Sequence, residues 1–232
     1  VAFQTAYLKC HYPSEFMAAL LTSVLDNTDK VIEYSGECAR LGIKVLPPDV
    51  NISNGGFTAD NGKIRFGLNA VKNVGRNLIE RVVEERKEKP YSSLYDFCKR
   101  MHGTELNRRA VECLIKAGAF DSMGVNRHSL VEAVDGIIKS VESDSRRNLE
   151  GQLDLFSVMS GESQTADTDS YEIKPFPEYS HTELLQQEKE VSGLYLSGHP
   201  LDAYREQSAR FASNSIKELT GEDAHKLDGN HV

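Results

Sequence analysis

Tryptophan is absent from the chain, and its four cysteines, Cys10, Cys38, Cys98 and Cys113, stand far apart with no CxxC pair among them. That spacing argues against a zinc knuckle and a disulfide framework, so the thiols read as reduced packing residues. The seven histidines form no HxH or HExxH pair, and no metal or catalytic role is assigned to any residue. No apolar run approaches the roughly 20 residues needed to span a bilayer. Val1 to Leu8 carries no signal-peptide pattern, and a cytoplasmic protein with no membrane partner is expected. The first residue is Val, inside an apolar-periodic stretch, which reads as a piece cut from a longer chain.

What is present suffices for one or two packed domains: 39% of the 232 residues are hydrophobic and 27% charged. The net charge of −8 argues against a nucleic-acid partner only until its distribution is examined. From Lys63 to Arg127 there are 14 Lys and Arg against 8 Asp and Glu, an excess of +6, while the rest of the chain has 13 against 27. A basic middle lies between acidic flanks.

Apolar spacing predicts a mainly α fold. A helical hairpin is expected over 1–25, broken at Pro13, followed by a helix capped by Asn27 and closed by Gly42. Asp60, Asn61 and Gly62 between two short apolar runs predict a small β-hairpin. Two helix pairs follow, at about 65–88 and 92–118, broken at 73–75 and at Gly103 and Thr104. Asn126 is expected to cap a further helix through Val141. The segment 143–180 is rich in Ser, Asp, Glu, Gly and Thr and reads as a flexible acidic linker. Helical patterning returns at Thr182 to Tyr195 and is expected to stop at Gly198, His199 and Pro200, with helix and loop beyond Leu201.

The break at Lys72, Asn73, Val74, Gly75, Arg76 and Asn77 joins two short amphipathic segments. Such a hairpin aims backbone N–H groups and a helix N-terminus at an anion, with Lys72 and Arg76 adding charge. Gly75 allows close approach or a positive φ. The second pair, with Asn107, Arg108 and Arg109 at its turn, makes the arrangement similar to a tandem helix-hairpin-helix fold. Such a fold neutralises duplex DNA backbone without reading sequence. The pattern departs from that family in one respect: its hairpin carries two glycines, Asn73 stands at the first, and the second turn has neither. Arg81, Arg86 and Lys87 alternate with glutamates and read as solvated helix faces. Tyr91 and Tyr95 have the spacing of core residues.

Within the acidic segment stands QLDLF, at Gln152, Leu153, Asp154, Leu155 and Phe156. Its apolar side chains have no evident intramolecular core, which suggests a partner whose pockets they fill while Gln152 bonds at the rim. The pentapeptide resembles the binding motif of the bacterial β sliding clamp. YLKCHYPSEFMAALL at 7–21, GIKVLPPDVN at 42–51, LIKAGAFDSMGVNR at 114–127 and LSGHPL at 196–201 resemble the C-family replicative DNA polymerases, in order along nearly the whole chain. The resemblance implies the end of a fingers domain at 1–25 and a helical clamp-binding domain at 26–142. It further implies a linker at 143–180 holding the clamp peptide at 152–156, and a connector at 181–232 leading to an OB domain. It also implies partners in duplex DNA at a primer-template, the β clamp and other replicase subunits. Magnesium is expected for the parent polymerase and no cofactor for this stretch. The alternatives are a DNA-repair module with its own clamp peptide and a structural helical adaptor.

Overall fold

The computed structural model describes residues 1–149 and 171–204. Eight α-helices occur among the described residues, with a small three-stranded sheet. Contacts divide the chain into a unit of residues 1–197 and a second of 198–232. In the part of the second unit that is described, Asp202–Tyr204 is a 3₁₀ turn, and His199 N–H donates to Asp202 Oδ2 at 2.7 Å.

The first unit opens with α1 (Ala2–His11) and α2 (Pro13–Ser23), separated at Tyr12 because Pro13, which has no N–H to donate, starts the new helix. Helix α1 buries none of its residues, whereas α2 sinks Met17 and Leu21 completely into the core. The next helix, α3 (Thr28–Arg40), begins as expected: Asn27 Oδ1 accepts from Lys30 N–H at 3.1 Å. It ends ahead of Gly42, whose φ of +73° turns the chain away.

The predicted hairpin forms from β2 (Thr58–Asp60) and β3 (Lys63–Arg65), with Asn61 and Gly62 both at positive φ, as a two-residue turn of the right twist requires. The sequence reading missed a third strand, β1 (Val45–Leu46). It pairs parallel to β3 in the register Val45 to Ile64, giving the order β1-β3-β2. Two residues are too few for an alternation to be visible. Their strand character comes from Ile64 and Phe66, whose N–H groups donate to Lys44 O and Leu46 O.

Beyond the sheet, Leu68–Ala70 is a single 3₁₀ turn rather than the helix expected there, and it leads into α4 (Arg76–Glu85). Helices α5 (Leu94–Arg100) and α6 (Arg108–Lys116) follow, and both lean on α7 (Arg127–Leu149). The core is continuous through these helices: Phe97 meets Phe120 edge-on at 5.1 Å and Tyr91 at 5.0 Å. Full burial of each such ring stabilises by roughly 1.5–3 kcal/mol. Tyr91 and Tyr95 are core residues, at 2% and 3% exposure. Cys38, Cys98 and Cys113 are buried free thiols, while Cys10 is exposed.

Three expectations are corrected. Helix α7 runs on past Val141 to Leu149, because Ser143 to Leu149 contains no proline or glycine and Tyr95 Oη donates to Asp144 at 2.8 Å. The last helix, α8 (His181–Ser192), stops at Gly193, whose φ is +80°, five residues before Gly198. Its start is a full capping box between Ser180 and Glu183. Arg86 is not a solvated helix face: half-buried, it donates to Val50 O, Ser53 O and Asn54 Oδ1 and ties the 50–54 loop to the end of α4.

Candidate nucleic-acid interface

The first hairpin is built from the inside outward. Leu68 and Val71 bury ahead of it and Leu78, Ile79 and Val82 behind it, so the six residues between form the turn at the surface. Lys72, Asn73 and Gly75 are exposed, and Val74 is half-buried. The reversal falls on Asn73, at φ +62°. Asn tolerates the left-handed region better than most residues with a Cβ, and its Nδ2 reaches Cys113 Sγ at 3.5 Å. Gly75, for which either close backbone approach or a positive φ was open, is the extended N-cap of α4, at φ −73°. Its contribution is the missing side chain: among the described residues, no side chain accepts from the first-turn N–H groups of α4. Those N–H groups carry the positive end of the helix dipole.

The charged residues around this terminus have partners of their own. Lys72 N–H donates to Val191 O at 2.8 Å and its Nζ to Glu190 O at 2.9 Å, which pins the hairpin to the end of α8. Arg76 Nη2 lies 2.5 Å from Asp26 Oδ1 and 2.6 Å from Oδ2. That neighbour raises its pKa, through the hydrogen bond and through charge. Asn77 Nδ2 donates to Glu105 Oε1 at 3.0 Å.

At the second predicted turn, Asn107 is the N-cap of α6 and accepts from Ala110 N–H at 2.9 Å. Arg108 bonds Glu112 at 2.6 Å and Asp135 at 2.7 Å, and Arg109 is exposed. Since α5 and α6 each pack on α7, the closer helix pair is α6 and α7. Their connection was overlooked in the sequence reading although its signal was visible: KAGAFDSMGVN holds two glycines six residues apart ahead of a capping Asn. Gly118 and Gly124 both take positive φ, +84° and +77°, and Asn126 Oδ1 accepts from Ser129 N–H at 2.8 Å.

This third turn is closed where the first is open. Glu178 accepts from Arg127 N–H at 3.0 Å and His128 N–H at 3.2 Å, so a carboxylate already occupies the N-terminus of α7. Below it, the Arg127 guanidinium bonds Asp121, Lys116 O and Glu188 Oε1. Burial works against its charge, but Asp121 and Glu188 more than offset that and its pKa is raised. Glu188 Oε2 in turn accepts from Leu196 and Ser197 N–H, so one buried network joins α6, α7 and α8. The pentapeptide Gln152 to Phe156 lies outside the described residues.

A helical unit with an exposed, uncapped hairpin helix in a basic stretch defines a helix-hairpin-helix module, and residues 42–130 match the family model described as a helix-hairpin-helix motif. Over nearly its whole length the chain is also similar to DNA polymerase III subunit alpha. It is 44% identical over 225 residues to that of Saccharopolyspora erythraea, covering 95% of this chain and 19% of the relative. It is 44% identical over 225 residues to that of Xylella fastidiosa strain Temecula1, covering 96% and 18%. It is 39% identical over 213 residues to that of Escherichia coli K12, covering 91% and 18%. The chain belongs to the DNA polymerase III subunit alpha family, and it spans about a fifth of the length of the curated relatives it matches.

Proposed function

We propose that the chain is the part of a replicative DNA polymerase that holds duplex DNA and ties the enzyme to the sliding clamp. The observation that carries the DNA half is the open first turn of α4 behind the Asn73 reversal. Phosphate oxygens accept from such N–H groups, and Lys72 and Arg76 stand beside them as cations. Phosphates carry no base information, so the grip is independent of sequence. The positive excess between Lys63 and Arg127 favours this reading over a purely structural adaptor. Duplex affinity of the chain at low and high salt tests it: binding that falls steeply with salt supports the grip, and no binding at low salt removes it.

The clamp half rests on QLDLF and on the kinship. The covalent chain limits the peptide's range. Asp154 follows the end of α7 at Leu149 by five residues, a reach of at most about 18 Å. On its other side, Tyr171 is stacked on Tyr95 with ring centroids 6.3 Å apart. A peptide tethered at both ends to a DNA-holding module meets a ring on the same duplex at an effective concentration of roughly millimolar, which converts a micromolar contact into rapid rebinding. In this reading nucleotidyl transfer, its magnesium ions and the contacts with other replicase subunits belong to the longer polypeptide.

A further inference from the structure

We propose that Asp26 and Glu105 are built-in competitors of DNA phosphate, holding the first hairpin's polar groups until a duplex displaces them. The inference rests on the duplex-holding reading and concerns how strongly that site binds. Asp26 lies just before α3 and Glu105 between α5 and α6, yet both carboxylates converge on the start of α4. Asp26 offers both oxygens to one nitrogen of Arg76, and Glu105 takes Asn77 Nδ2 with one oxygen. The other Glu105 oxygen, Oε2, sits 3.1 Å from where a Cβ on Gly75 would stand. A carboxylate there lies in the approach a phosphate would take to the α4 terminus.

The two contacts are positioned to be exchanged rather than kept. Arg76 and Asp26 side chains are 60% and 86% exposed, and a pair so open to water is weak and screened by salt. Glu178 at the N-terminus of α7 is different, because it accepts two backbone N–H groups and closes that terminus. When phosphate binds, Arg76 can turn from Asp26 without burying anything, while Asp26 and Glu105 remain as like charges beside the DNA. Duplex binding therefore has to overcome both carboxylates, which weakens the grip and eases movement along the backbone.

The test is duplex binding by the 232-residue chain carrying Asp26→Asn with Glu105→Gln, measured by anisotropy on a short mixed-sequence duplex at low salt. Near-isosteric amides keep the shape, and thermal melting checks the fold. The expected result is affinity about two- to tenfold tighter than the native chain. A charge-matched control, Glu142→Gln with Glu172→Gln, should tighten binding less. Unchanged or weaker affinity in the first variant, while Lys72→Ala with Arg76→Ala still weakens binding, overturns the competitor role and leaves the duplex reading standing. Equal tightening by the control also overturns it, since the effect would then be net charge alone. No weakening with Lys72→Ala and Arg76→Ala removes the duplex reading of this hairpin, and the competitor with it.

Discussion

Arg127 Nη1 lies 3.1 Å from Glu188 Oε1, with the two side chains only 6% and 0% exposed. This buried pair fastens α8 to the α6–α7 connection. Removing Glu188 leaves Arg127 with Asp121 and the Lys116 carbonyl, but opens the buried network and takes the acceptor from the Leu196 and Ser197 N–H groups. Glu188→Ala is expected to cost about 3–5 kcal/mol of stability in urea melts, and Glu188→Gln less, because the amide oxygen still accepts from Arg127.

The two glycines of the α6–α7 connection share a backbone conformation but differ in surroundings, which separates strain from crowding. A Cβ on Gly124 would meet nothing within 4 Å, so Gly124→Ala should cost about 1 kcal/mol for the left-handed backbone alone. A Cβ on Gly118 would run into the Arg127 guanidinium and sit 2.9 Å from Asp121 Oδ2. Gly118→Ala should therefore cost clearly more and lower the melting temperature further.

Thiol labelling reads the same packing chemically. Burial pushes the Cys98 thiol up to about 12 and the Cys38 thiol up to about 11, leaving negligible thiolate near neutral pH. A maleimide should modify exposed Cys10 first, with Cys38, Cys98 and Cys113 protected until denaturant is added, as peptide mass mapping would record.

For the pentapeptide, Gln152→Ala with Leu155→Ala and Phe156→Ala should abolish binding of the chain to purified clamp while leaving duplex affinity unchanged. Retained clamp binding would remove QLDLF from the account.

What the sequence disclosed, and what it withheld, follows the range of the interactions. The Asn27 cap and the Asn61-Gly62 turn are local, set by residues within three or four positions of the backbone they shape. The β1 strand depends on Ile64, nineteen residues from Val45, and so could not be read from its own two residues. Arg86 looked like one charge of an alternating helix face because the loop carbonyls it binds lie more than 30 positions away. Which of Asn73 and Gly75 takes the positive φ was hidden for another reason. Either residue tolerates positive φ, and only the packing of Val71 and Leu78 on each side fixes where the chain reverses.

The central claim is that the first hairpin grips duplex phosphates, and the salt dependence of that grip measures it most directly. For the native chain, log affinity should fall linearly with log salt, with a slope of about −0.9 for each phosphate neutralised. Lys72→Ala with Arg76→Ala should weaken binding to unrelated duplexes equally and make the slope shallower by roughly two. A native chain with no duplex affinity at low salt, or a variant with the native slope and affinity, would contradict the account.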